Sequence, residues 1–353
     1  MTEEINPGLI VLLGSGETAP TIRKVYHWLF EQMCEPVKLS ILETPAGFEP
    51  NSDKVAQAIA DFMEKRLQNF HPDIAIIPAR KKGTPFSPDD PDIVSPLLDA
   101  NVILMGPGSP TYAARQMMDS VAWHTLNARH RLGAHLIFAS ATTIASSLKA
   151  LPVYEIYKVG QDLHWQDGLN FFDAFGLSLV FVPHWNNNDG GDELDTSHCY
   201  MGTDRYNQLI DLLPPESTIV GIDEQTALVI DPAEQCCRVM GNSDVRIIRN
   251  GEEKLFRNGQ SFPTGELGSF NIPQPQSGIP AEVWDRVITA HQAALETDEQ
   301  TPEPPAEVLE LVEKREAVRA RKEWDASDAM RDQIEQLGWK VLDTPNGSVV
   351  EPV

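Results

Sequence analysis

Apolar residues come in short unbroken runs over the first two-thirds of the chain. "LIVLLG" (9–14), "KLSILET" (38–44), "DIAIIPA" (73–79), "ANVILMG" (100–106), "AHLIFA" (134–139) and "LSLVFV" (177–182) are rich in aliphatic and β-branched side chains. Most do not alternate with polar residues, which is the pattern of strands covered on both faces, as in a parallel sheet. Between them lie longer stretches with helical spacing, among them "SDKVAQAIADFMEKRLQ" (52–68) and "TYAARQMMDSVAWHTLNARH" (111–130). Strands and helices taking turns predict a doubly wound, mostly parallel α/β sheet. In such sheets ligands bind beyond the carboxyl ends of the strands, so the residues just after each run are the ones to examine.

From 219 to about 262 the texture changes. "TIVGIDEQTALVID", "CRVMGNSDVRIIRNG" and "EKLFRNGQSF" are strand-like pieces broken by "GNSD" and "RNG" turns, which predicts an antiparallel β extension. "NIPQPQSGIP" is proline-rich, a helical segment around 281–295 follows, and "ETDEQTPEPPAE" (296–307) reads as an exposed linker. The tail predicts a helical hairpin, "AEVLELVEKREAVRARKEW" and "DASDAMRDQIEQLG", then a small β-hairpin with an Asn-Gly turn in "WKVLDTPNGSVVEP". The expected division is therefore an α/β domain over 1–275, a short helix with Pro-rich linker over 276–305, and a compact module over 306–353. No internal repeat is visible.

Composition narrows the function classes. With 353 residues, 41% of them hydrophobic, the chain can bury a sizeable core. Lys plus Arg number 28 against 52 Asp plus Glu, a net charge of −24, which argues against broad binding to a phosphate backbone. The N-terminal apolar run is too short for a signal anchor or a membrane span, so a cytoplasmic protein without membrane contact is expected. Cys34, Cys199, Cys236 and Cys237 have neither metal-like spacing nor a disulfide framework, which fits reduced thiols.

Three strand ends carry candidate chemistry. After 100–106 comes Gly106-Pro107-Gly108-Ser109-Pro110. Ser109 suits a helix N-cap and Pro110 the first helical position, and glycines there let backbone amides approach an anionic ligand. The same residues also describe a well-capped helix without chemistry. One strand later Ser140 stands at the corner of "LIFASATTIASS". A serine hydroxyl needs a base, and the base an orienting partner. His184 follows the strand in "LVFVPHWNNN", and Glu155 follows the helix after Ser140, so Ser140, Glu155 and His184 form a plausible triad.

Taken together, "LLGSGET", "GPGSPTY", the serine corner, "VPHWNN" and "GIDEQTALVID" resemble the serine peptidase family of dipeptidase E and cyanophycinase, over about residues 8–250. The resemblance implies a class I glutamine amidotransferase-like fold with serine at the nucleophile elbow. It implies Ser140 as nucleophile, His184 as base and Glu155 as the acidic member, with the amides of Gly108 and Ala141 as oxyanion donors. Ser109, Arg205 and Glu224 are placed near the substrate. Two positions depart from the family's G-x-S-A-G-A elbow: Phe138 and Thr142 stand where glycines are usual. A nucleophile turn tolerates little bulk. Whether this elbow keeps catalytic geometry is therefore open, and the competing class is a non-catalytic binding or regulatory protein that keeps the fold.

The acidic loop with Asp189, Asp192, Glu193, Asp195 and His198 invites a metal reading alongside His184, but the spacing fits no metal motif, and no metal or cofactor is expected. "GSGET" lacks the third glycine of a dinucleotide fingerprint. The stretch 308–350 resembles the C-terminal end of cysteinyl-tRNA synthetase. That implies Arg315, Arg319, Arg321, Lys322 and Arg331 as phosphate contacts and Trp324 or Trp339 as packing or stacking residues. Residues 306–353 nevertheless carry seven Lys/Arg against eleven Asp/Glu, so tRNA contact is the weaker reading. A structural module docked on the body or on another subunit, in a homodimer for instance, is the stronger one. The expected substrate is a peptide or another small molecule.

Overall fold

The computed structural model describes residues 6–33, 36–300, 304–344 and 347–353. Its core is a large sheet built on β1 (Ile10–Leu13), β2 (Lys38–Leu42), β3 (Asp73–Ile77), β4 (Val102–Met105) and β5 (His135–Ala139), which pair with one another in parallel. Lys149–Ala150 (β6) and Gln166–Asp167 (β7) form only a two-residue pair. β8 (Leu179–Val182) and β9 (Thr218–Ile222) are parallel partners in a second sheet. β10 (Thr226–Asp231) and β11 (Cys236–Gly241) return to the large sheet, β12 (Val245–Arg249) and β13 (Glu252–Phe256) extend the second, and β14 (Ser261–Pro263) closes the large one. The large sheet runs β14-β11-β10-β1-β5-β4-β2-β3 and the second β13-β12-β9-β8. A mostly parallel α/β sheet with an antiparallel extension is thus what the chain builds.

Alternate residues of the unbroken runs bury opposite faces. Val11, Leu13, Ile41, Leu104 and Ile137 pack under the helices Pro20–Glu31 and Ser52–Arg66. Ile10, Leu12, Met105, Leu136 and Phe138 face the other way, toward Phe171, Phe172 and Phe175 and toward Leu179, Phe181, Val220 and Ile222 of the second sheet. With both faces covered, no position in these strands can be polar without a partner, and this explains the absence of alternation.

Four expectations change in detail. The strand at 177–182 belongs to the second sheet rather than the large one. "TIVGIDEQTALVID" is two strands in different sheets, joined at Asp223-Glu224-Gln225, where Gln225 takes φ 52°. The helix expected over 111–130 is two, Pro110–Met117 and Val121–Arg131, because Asp119 turns left-handed (φ 54°) and Ser120 caps the second through Trp123 N–H. The linker begins later than expected, since the helix starting at Ala281 continues to Gln300 and packs Val283 and Val287 against Ala128.

The tail forms helices Ala306–Ala320 and Trp324–Gln336 followed by the hairpin β15 (Trp339–Thr344) and β16 (Gly347–Pro352), around Val308, Ile334, Trp339 and Val341. The Asn-Gly turn expected there includes Asn346, which lies outside the described residues, as does Cys34. His71 Nε2 donates to the backbone oxygen of Asp343 at 3.3 Å, tying the hairpin to the body.

Two histidines, one buried and one half-buried, make the fold acid-sensitive. His130 is fully buried and holds the Gly8 carbonyl through Nε2 at 2.9 Å, and burial pushes its pKa down to about 3. His135 Nδ1 accepts the Leu9 N–H at 2.9 Å, a role that only the neutral ring can fill, and burial lowers its pKa to about 4. Both values lie below the unfolded one, so the unfolded chain takes up more protons and stability falls as pH drops below about 6.5. Each histidine should remove about 2 kcal/mol by pH 5. The melting temperature at pH 5 should therefore lie several degrees below that at pH 7, and His130→Gln should reduce the difference.

Candidate functional site

Ser140 is the first residue after β5, at the carboxyl end of this central strand, with φ 52° and ψ −100°. An L-residue held there stores about 1–3 kcal/mol of strain, which the surroundings must offset. Two threonines do so. The Ala139 N–H donates to Thr142 Oγ1 at 2.9 Å, and the same hydroxyl donates to the Met105 carbonyl of the neighbouring strand at 2.5 Å. Thr143 Oγ1 donates to the carbonyls of Leu13 and Phe138, each at 2.9 Å. Thr142, at the position where bulk threatened the turn, is therefore one of its ties. Phe138 does not crowd the corner, because its ring points into the core and meets Phe171 edge-on at 5.6 Å.

Ser140 Oγ lies 2.8 Å from His184 Nε2, and His184 Nδ1 lies 2.9 Å from Glu224 Oε1. His184 follows β8 in a left-handed conformation (φ 49°), and its N–H reaches the Gly14 carbonyl at the end of β1, 3.3 Å away. Glu224 stands on the corner between β9 and β10. Asn186 Oδ1 accepts the Glu224 N–H at 2.8 Å, and Asn187 Nδ2 donates to Glu224 Oε1 at 2.8 Å. Beneath the corner, buried Asp223 accepts from Ser243 Oγ at 2.7 Å and from Arg246 at 2.8 Å. Ser15 Oγ accepts the Gln225 N–H at 3.1 Å, and a Cβ on Gly14 would come within 2.1 Å of the Asp223 carbonyl oxygen. "LLGSGET" thus serves as the bed on which this corner rests.

The bond from His184 holds the Glu224 carboxyl below its ordinary range; Asn187 adds to this, while partial burial opposes it. Glu224 is therefore an acceptor at neutral pH, which assigns the Nδ1 proton to His184 and leaves Nε2 free to accept from Ser140.

Gly108, Ser140, Ala141 and His184 line one cleft of about 340 Å³, whose lining also includes Tyr157 and Tyr200, the latter with its ring 5.8 Å from that of His184. The amides of Gly108 and Ala141 donate to no protein acceptor among the described residues. Gly108 takes φ 150°, and a Cβ there would come within 2.0 Å of the Pro45 carbonyl oxygen, so the loop demands glycine. Cys199 also lines the cleft. Burial, together with the nearby Glu224 charge, raises its pKa to about 12, so its thiol stays protonated.

Several sequence expectations are corrected here. Glu155 does not orient His184: it sits on the short helix Val153–Tyr157 and accepts from Thr111 Oγ1 at 2.5 Å. Glu224, expected only near the substrate, is the carboxylate bonded to His184. Arg205 is exposed on the helix Gly202–Ile210 and is not part of the cleft lining. Ser109 is buried and works as the N-cap of Pro110–Met117, accepting Tyr112 N–H at 3.2 Å. Asn186, Asn187 and Asp223 were not singled out in the sequence, although "HWNNN" and the acidic pair in "GIDEQ" were its visible signals. The metal candidates disperse: Asp189 accepts from Tyr200, Asp195 accepts from Ser197 and Thr203, and His198 stacks on Tyr206.

This fold is shared by a solved structure. It is the crystal structure of a peptidase from an acI-B1 Actinobacterium, matched over 73% of this chain and 97% of that chain, with a TM-score of 0.58 and 22% identity. A peptidase E protein from Listeria monocytogenes aligns less well, with a TM-score of 0.41 and 15% identity. No protein-family model matches the chain. Among curated proteins the similarity is to cysteine–tRNA ligases, 49% identical over 49 residues for that of Caldicellulosiruptor saccharolyticus and 47% over 51 for that of Chlamydia felis. The match spans about a tenth of those enzymes' length and 14% of this chain.

In the tail the arginines expected to meet phosphate are engaged within the module. Arg315, 2% exposed, pairs with both oxygens of Asp343, which also takes Arg319. Arg321 pairs with Glu323 and Arg331 with Asp328. Trp339 is buried in the module core, while Trp324 is exposed with the Arg319 guanidinium over its ring. Among the described residues no helix is long and apolar enough to cross a membrane.

Proposed function

We propose that this protein is a serine hydrolase that cleaves a peptide or isopeptide bond. The observation that carries the reading is the unbroken chain Ser140 Oγ, His184, Glu224, with links of 2.8 and 2.9 Å, at a left-handed elbow lining a cleft. In this reading Ser140 attacks the scissile carbonyl while His184 Nε2 takes its proton. Glu224 fixes the ring and stabilises the imidazolium, and His184 then returns the proton to the leaving amine. The Gly108 and Ala141 amides receive the oxyanion; one such donor contributes about 3–4 kcal/mol to lowering the barrier. The solved peptidase with the same fold supports the choice of bond.

The 306–353 module is read as a docking element rather than an RNA reader, since its arginines already hold carboxylates and its net charge is negative. A fluorophosphonate probe should label the full-length protein once, and peptide mapping should place the adduct on Ser140. An unlabelled protein, or an adduct elsewhere, would reject the assignment.

A further inference from the structure

Glu155 is costly where it stands, and the catalytic chain does not use it. Its Oε2 is shut away from solvent with no hydrogen-bond partner, so Oε1 alone anchors the carboxylate. A carboxylate oxygen left without a partner costs stability, so the role of Glu155 has to be sought in its one bond. That bond is the 2.5 Å contact from Thr111 Oγ1. Thr111 has a single hydroxyl proton and gives it to Glu155, so its 3.1 Å contact with Ser109 must be donated by Ser109 Oγ. Ser109 Oγ in turn accepts Tyr112 N–H, while the Ser109 N–H holds the Pro45 carbonyl at 3.0 Å. Thr111 and Ser109 are 4% and 7% exposed, so water does not compete for these bonds. The relay ends at the residue next to Gly108, where a Cβ would come within 2.0 Å of the same Pro45 carbonyl oxygen.

We propose that Glu155 is a positioning residue that holds the Gly108 amide toward the Ser140 oxyanion through Thr111 and Ser109. The proposal rests on the hydrolase reading above. It assigns Glu155 a tether and leaves the general-base machinery to His184 and Glu224. A hydrogen-bond acceptor is what the tether needs, and a negative charge is not.

The test is the rate and concentration dependence of fluorophosphonate labelling of the full-length protein. Glu155→Ala should slow the maximal labelling rate by about 10–100-fold, the scale of a small misplacement of catalytic groups, with the half-saturating probe concentration unchanged. Glu155→Gln keeps the acceptor and should restore the rate to within about threefold of wild type. Thr111→Val should match Glu155→Ala, and Thr111→Ser should match wild type, which keeps the test decisive if Glu155→Ala fails to fold. The proposal is overturned if Glu155→Gln loses as much as Glu155→Ala, since charge would then be the requirement, or if both Glu155→Ala and Thr111→Val label at the wild-type rate. Those results leave Ser140 as the nucleophile. Absence of labelling in wild type removes the hydrolase reading together with this one.

Discussion

Ser140→Ala should lower hydrolysis by about five to six orders of magnitude while leaving the fold and substrate binding in place. Alanine removes the attacking oxygen, and nothing nearby can replace it. Cys199 lines the same cleft, but its thiol is held protonated well above neutral pH. The rate that survives should come from oriented water and the oxyanion donors, roughly 10³–10⁴-fold over water in comparable triads. Single-turnover kinetics on a library of short peptides would measure both numbers. Alanine also relieves little of the elbow strain, because φ 52° is equally unfavourable for it, so the melting temperature should stay near that of wild type. A loss below tenfold would show that another residue attacks.

Glu224→Gln should cost about 10⁴-fold, the effect of an amide in place of a triad carboxylate. The amide oxygen can still accept from Nδ1, but its NH₂ group can present itself instead and force the ring into the tautomer that cannot accept from Ser140. Asn187 donates to Glu224 Oε1 and can pair with a glutamine only if the oxygen faces it. Asn187 therefore opposes that flip, so the missing negative charge beside the imidazolium carries much of the loss. The sign of the pH effect follows from the lowered Glu224 pKa. Its charge-assisted bond is fully present above the unfolded carboxylate range and is lost as pH falls through the lower folded value. The His184–Glu224 bond should therefore persist into mildly acid solution. Glu224→Gln should show depressed turnover at every pH where wild type is active. Because Glu155→Gln is expected to be nearly silent, the two substitutions together distinguish the carboxylates by role.

The contrast also shows what the chain makes legible. The five parallel strands are visible because both their faces are buried, which removes alternation from "LIVLLG" and "AHLIFA" alike. Ser140 and His184 are visible as polar residues at the ends of such runs. The third member is not. "TIVGIDEQTALVID" reads as one strand interrupted by three polar residues, and the change of sheet at 223–225 is decided by tertiary packing around Asp223 and Gly14. Glu155 attracts attention because it follows Ser140 at a familiar distance, yet the helix Val153–Tyr157 turns it toward Thr111. The threonines of the elbow act through side-chain-to-backbone bonds, which leave no periodic trace in sequence.

Ser140 is carried by the large sheet, whereas His184 leaves the second sheet and Glu224 stands on the corner that joins β9 of the second sheet to β10 of the large one. The aromatic layer between the sheets, including Phe172 and Phe181 at 5.3 Å, therefore sets the alignment of attacker and base. Sliding of one sheet over the other by even half an ångström would be spent on the Ser140–His184 contact. Under the hydrolase proposal, turnover is an indirect gauge of how firmly two sheets are laminated, and substitutions deep in that layer should lower activity together with the melting point.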